Sequence, residues 1–169
     1  AGEVESFAKT TLDAFGIAEG SALDMAALFG DMATSMGLTQ GEASSMSTSL
    51  VGLAGDLASF KNIGLDEAMT ALNGIFTGET ESLKQIGVVM TQTNLDAYAL
   101  ANGFGKTTSE MTQAEQVQLR YQYVLNATKN AQGEFANTAD GTANSMRTAK
   151  ESLKELASTF GQQLLPIIT

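Results

Sequence analysis

From Ala43 to Phe60 the residues Ala43, Met46, Leu50, Leu53, Leu57 and Phe60 step by 3, 4, 3, 4 and 3. A strand sends alternate residues to opposite faces, so only a helix gathers this spacing on one side. The seam is narrow, as in helices that pack lengthwise against partners, but it runs for less than four heptads. Packing within the chain is therefore the expectation. Thr39 and Glu42 stand just before it as a capping box, in which each side chain takes up a backbone N–H of the first turn.

The same period recurs along most of the sequence. Val4, Phe7, Ala8, Leu12 and Phe15 make a short stripe that ends at Gly16. Met25, Leu28, Phe29, Met32 and Met36 make another, with Ser21 and Asp24 as start signals and Gly37 as the stop. After a break at Asn62–Gly64, Leu65, Ala68, Met69, Leu72, Ile75 and Phe76 form a stripe closed by Gly78. A short helical turn is expected from Thr80 to Ile86, with Thr80 as its cap. Val88, Val89 and Met90 are the one strand-like run, too short to be stable without a paired segment. Thr93 and Asp96 are expected to cap a helix from Leu95 to Ala101 that stops at Asn102-Gly103. A second capping box, Thr112 with Glu115, precedes a stripe of Val117, Tyr121, Val124, Leu125 and Thr128, with Gly133 as its stop. The last stripe is Met146, Ala149, Leu153, Leu156, Phe160 and Leu164. It starts at Thr138 or Asp140 and ends at Pro166, whose ring cannot continue the ladder. Starting at Asp140 and stopping near Leu165, such a helix would be about 39 Å long at roughly 1.5 Å per residue. The expected fold is all-α: an irregular bundle of about six to eight helices with a long C-terminal helix and at most a tiny β-hairpin near Val88–Met90. Residues 1–169 are read as a single helical module.

The residue types that are missing exclude much chemistry. With 0 Cys there is no disulfide, thiol nucleophile or cysteine-built zinc site, and with 0 His no Ser-His-Asp triad, zinc-binding HExxH helix or imidazole base. A carboxylate pair could in principle hydrolyse a glycoside. The candidates Glu79 with Glu81, and Asp66 with Glu67, lie beside helix starts, where the helix dipole by itself favours negative charge. Lys84 beside Glu81 reads as an ordinary surface pair three residues apart. The GFGKTTSEM stretch lacks the first glycine of a phosphate loop, because Leu100 stands five residues before Gly105. It reads as a polar loop between helices. No catalytic, cofactor-binding or metal-ligating residue is expected, and no enzyme.

Charge points the same way for nucleic acid. Residues 1–100 carry 13 acids and 3 bases, and the remaining residues 6 of each. A chain of net charge -10 with no basic patch does not grip phosphate backbones. Tyr121 and Tyr123 fall on different helix faces and read as half-buried packing residues rather than a base-stacking platform. The eight methionines lie mostly on the apolar stripes, as core filling. No run of about 18 apolar residues is present, so no transmembrane segment is expected. The N-terminus does not read as a signal peptide, and the absence of an initiator Met suggests a piece excised from a longer protein.

Three stretches resemble the tail tape measure proteins of long-tailed bacteriophages and prophages: residues 37–90, residues 111–156, and the closing GQQLLPIIT. The family's DLASF-N-x-x-x-x-EA-x-x-AL block and the G-E-x-E-x-LK-x-x-G that follows it are matched at Asp56 to Phe60, Glu67, Ala68, Ala71, Leu72, Gly78, Glu79, Glu81, Leu83, Lys84 and Gly87. Its M-T-x-x-E-x-x-x-x-R-Y block is matched at Met111, Thr112, Glu115, Arg120 and Tyr121, with Gln116 where family members often carry Lys. The resemblance implies a structural module in tail assembly and length determination. It also implies self-association and contacts with tube, tip and assembly-chaperone proteins. The location it implies is the virion tail interior, with the host bacterial cytoplasm during assembly. A host-side adaptor or membrane-interacting module, and a cell-wall-degrading virion module, are the rival expectations.

Overall fold

A computed structural model describes residues 2–137, and all regular structure among them is helical. In order these are α1 (Gly2–Ala8), α2 (Thr11–Phe15), α3 (Glu19–Ser35), α4 (Gln40–Lys61), α5 (Leu65–Leu72), α6 (Gly74–Thr77), a 3-10 turn (Thr80–Ile86), α7 (Gln92–Ala101), a second 3-10 turn (Thr108–Glu110), α8 (Gln113–Ala127) and α9 (Glu134–Asn137). The all-α expectation holds. The long helix expected over Met146–Leu164 lies outside the described residues.

The organising element is α4. Both halves of its capping box form: Glu42 N donates to Thr39 Oγ1 at 3.2 Å, and Thr39 N donates to Glu42 Oε2 at 2.9 Å. Its seam is buried from Ala43 through Leu57, while Phe60 is exposed beneath Lys61. From Leu50 to Ala58 every residue is buried. A seam buries one stripe, whereas a helix buried all round sits inside a domain. Thus α4 is the central post, and α3, α5, α9 and α2 pack around it. Its largest contact is with α3, through a turn whose Gly37 takes φ +98. Leu38 N reaches Ala33 O at 3.1 Å and Gly37 N reaches Thr34 O at 3.0 Å, which closes the end of α3 as a Schellman motif. Asn62, at φ 52, closes α4 in the same way.

Two stripes are each cut in two. The first breaks at Lys9-Thr10, where the buried Thr11 hydroxyl lies 2.8 Å from both Ala8 O and Ile17 O and folds α2 back. The second stays on a helical path through Asn73 (φ -57, ψ -26). Gly74 follows, closely packed: an added Cβ there would lie 2.7 Å from Glu79 O and 2.8 Å from Ser82 Oγ. Ser82 Oγ also donates to Ala71 O at 3.0 Å, bonding a carbonyl of α5 from outside the helix.

Helix starts shift where distant partners intervene. Helix α3 begins at Glu19 rather than at Ser21–Asp24, because the buried Ile17 and Ala18 fix the path into it. Thr91, not Thr93, caps α7, accepting from Asn94 N at 3.1 Å. Asp96 is drawn off instead by Thr108, whose backbone N donates to it at 2.9 Å. That bond is the main reason the Asp96 carboxyl lies below its ordinary value. The run Val88–Met90 keeps the alternation of a strand, with Val88 and Met90 buried and Val89 exposed, but forms none. Tyr123 Oη donates to Val89 O at 2.6 Å, a partner that a paired strand would otherwise supply.

Candidate functional site

The sequence candidates for chemistry do not converge. Asp66 and Glu67 are exposed in the first turn of α5, and Glu79 and Glu81 are exposed at the start of the first 3-10 turn. Glu81 pairs with Lys84 at 3.0 Å on the surface, as the spacing indicates. In the GFGKTTSEM loop, Lys106 lies 2.6 Å from Glu115, so this lysine is tied to the capping box of α8. That bond is the largest cause holding the Glu115 carboxyl below its ordinary value. Tyr121 and Tyr123 are half-buried, and Tyr123 meets Tyr98 edge-on with ring centroids 5.5 Å apart. Among the described residues no group of three or more Asp or Glu side chains could hold a metal ion. No helix among them is long and apolar enough to cross a membrane.

Two charged residues take positions that spacing does not reveal. Asp56 sits in the buried middle of α4, among Leu53, Ala54, Leu57 and Ala58. Its carboxylate accepts from Gly133 N at 2.9 Å and Phe135 N at 3.2 Å, two N–H groups at the start of α9 that have no partner within that helix. Burial pushes the Asp56 carboxyl above its ordinary value. The two backbone bonds oppose that shift and nearby Glu134 adds to it. Next to this anchor, Phe135 is buried in a socket floored by Gly16 at φ +69, where a Cβ would stand 2.5 Å from the ring.

Small residues on the same face of α4 let α2 approach closely. Phe15 lies over Gly52 and Gly55. An added Cβ at Gly55 would be 2.7 Å from Phe15 O, and one at Gly52 would be 2.9 Å from the tip of the Phe15 ring. Beside this contact runs an open groove of about 440 Å³ lined by Phe7, Phe15, Ser49, Leu53, Leu125 and Gln132. Close contact on this side is thus confined to Gly16, Gly52 and Gly55, with the groove open beside them.

The second residue is Arg120, on α8. Its Nε donates to Ile75 O at 2.7 Å, and one terminal nitrogen lies 3.5 Å from Phe76 O. Arg120 therefore takes up carbonyls of α6 and ties α8 to it. Burial pushes the guanidinium below its ordinary value, yet an arginine stays charged in proteins. Its outer edge faces a cleft of about 390 Å³, whose other walls include Lys84, Glu81, Gln92, Val89 and Leu95.

Both residues stand in the blocks that carry the family resemblance, but spacing alone did not show what either one binds. The available signal for Asp56 was one carboxylate inside the otherwise uncharged run LVGLAGDLASF. For Arg120 the residue pattern outside the resemblance gave none, because its bonds reach 44 and 45 residues back along the chain. No family model matches the chain, and neither does any curated protein or any solved structure.

Proposed function

We propose that the chain is a structural module of a phage or prophage tail tape measure protein, contributing to tail assembly and length determination. It acts by packing helices against copies of itself and against other tail proteins: tube, tip and assembly chaperone. Its place is the virion tail interior, reached from the host bacterial cytoplasm during assembly, and it carries out no reaction.

One observation supports this reading. Several of the residues that carry the family resemblance join helices, while others, among them Phe60, Glu67, Glu79 and Glu81, lie exposed. Asp56 anchors α9 to α4, and Arg120 ties α8 to α6. Thr112 and Glu115 close a capping box, Gly78 and Gly87 end helical segments at φ +77 and +79, and Met111 and Leu83 are buried. The matched residues that are buried or bonded across elements are spread over several joints of the fold and gather no reactive groups at one place. Such a distribution suits a module whose output is shape.

In-frame deletion of the segment in the phage or prophage that encodes it tests the reading. Tails of altered length, or no tails, in electron micrographs are the expected result, together with loss of infectivity. Tails of unchanged length on fully infectious particles would refute it.

A further inference from the structure

The cleft in front of Arg120 joins three properties that the tail reading does not use. The first is a guanidinium with donors to spare. Arginine presents five N–H groups, and here one makes a short bond and a second a long one, both to carbonyls of α6. Among the described residues no carboxylate is seen paired with it within 4.0 Å, whereas Lys84 pairs with Glu81 and Lys106 with Glu115. Gly78, which also lines the cleft, keeps it open. A Cβ there would sit 3.7 to 3.9 Å from three guanidinium atoms, so a longer side chain would cover the edge that glycine leaves bare.

The second property is charge. Lys84 and Arg120 line one side of the cleft with Glu81 beside Lys84, leaving one positive charge on a chain of net charge -10. A single anionic charge neutralises that excess, and a doubly charged phosphate overshoots it. Carboxylate oxygens also match the guanidinium fork in a planar, two-bond contact. The third property is an apolar wall: Val89 is exposed although valine gains nothing from water, and Leu95 and Met90 continue the surface inward. At about 390 Å³ the cleft falls in the size range of small-ligand pockets.

We propose that this cleft is a binding site for a monoanionic carboxylate that carries a small apolar group. The carboxylate pairs with the cleft-facing edge of Arg120, with Lys84 as the second cation, and the apolar group lies on Val89 and Leu95. The site stands independently of the tail reading, since a helix-packing module does not need it.

The test uses the full chain, labelled with nitrogen-15, and follows the Nε–Hε resonance of Arg120, one of two arginines in the sequence. The probes are isovalerate as a free acid and the dipeptide acetyl-alanyl-leucine with a free C-terminus. Its C-terminal amide, inorganic phosphate and sodium chloride at equal ionic strength serve as controls. Isovalerate and the free dipeptide should both move the Arg120 resonance saturably in the millimolar range, with the amide and chloride inert and phosphate weaker. Tighter binding of the dipeptide identifies a chain end as the natural source of the carboxylate, and tighter binding of isovalerate identifies a free acid.

Val89→Asp places a carboxylate in the cleft from an exposed position. It should abolish binding while leaving the thermal melt unchanged, and Lys84→Gln should weaken binding about threefold. Arg120→Lys keeps the charge without the fork and should weaken binding more than Lys84→Gln does. No saturable shift, an equal response to chloride, or full binding by Val89→Asp would each overturn the proposal.

Discussion

Replacing Gly55 by alanine is the most revealing single change in the helix packing. Two opposing effects meet at that position. Alanine is favoured over glycine in a helix interior by about 1 kcal/mol, and Gly55 lies well inside α4. Against this, the new methyl would stand 2.7 Å from Phe15 O, 2.8 Å from Phe15 Cβ and 3.1 Å from Ile17 Cδ1. Ordinary contacts begin near 3.4 Å, and two of these three atoms are backbone or next to it, so no side-chain rotation relieves them. Helix α2 must move away from α4. Overpacking of this kind costs about 1–3 kcal/mol, and the upper half of that range applies where backbone has to shift. The net effect is a destabilisation of about 1–2 kcal/mol, or a fall in Tm of roughly 2–8 °C for a chain of this size.

Gly30→Ala supplies the reference. It lies inside α3 with nothing within 4 Å of the added Cβ, so only the helix gain remains, about 0.5–1 kcal/mol. Urea and thermal unfolding followed by circular dichroism should move in opposite directions for the two variants, with an unchanged urea slope. If Gly55→Ala stabilises as much as Gly30→Ala, the close approach of α2 to α4 is wrong.

Other substitutions probe the remaining joints. Asp56→Asn keeps one carbonyl acceptor but turns an amide donor toward the second N–H, and leaving a buried donor unpaired costs about 1–3 kcal/mol at pH 7. The pH dependence has a definite sign. The Asp56 carboxyl is raised in the folded chain, so folding takes up a proton, and this group's contribution rises as pH falls through its folded value. Urea melts from pH 7 to pH 3 should therefore show wild type gaining on Asp56→Asn, with the gain complete below the unfolded value of about 4; a constant or shrinking difference contradicts the buried setting. Gly16→Ala should destabilise by 1 kcal/mol or more, because it strains a backbone at φ +69 and drives a methyl into the Phe135 ring; an unchanged melt would count against that socket. Thr39→Ala should cost about 1 kcal/mol through loss of the α4 cap, read from the same melts. Glu79→Gln and Glu81→Gln should behave as wild type in a peptidoglycan zymogram, with no clearing in any of the three lanes.

How much of this was legible in the sequence depended on distance along the chain. Both capping boxes, Thr39 with Glu42 and Thr112 with Glu115, close over three residues and form where the pattern puts them. The stops at Gly37, Gly78 and Asn62 were equally local, since each needs only a residue that tolerates positive φ. The start of α7 was placed three residues late, at Leu95 instead of Gln92, because Thr91 supplies the cap and Asp96, a fair cap by type, is claimed by Thr108 twelve positions away. The burial of α4 was underestimated because Gly52, Gly55 and Asp56 do not register as core in a hydrophobic pattern. Glycine buries its helix by letting a neighbour come close, and Asp56 is buried because α9, 77 residues on, donates to it. For the candidate site, the exposed carboxylates were the visible part, whereas the Arg120 cleft arises from segments that meet only in the folded chain.

On the proposed reading the module contributes length and packing to a phage tail. Tail length in electron micrographs of a phage carrying two in-frame copies of the 169-residue segment measures that contribution most directly. Tails longer than wild type by a uniform increment are expected, at most about 250 Å if the added copy were one continuous helix at roughly 1.5 Å per residue. Normal-length tails on infectious particles that carry the duplicated protein would contradict it.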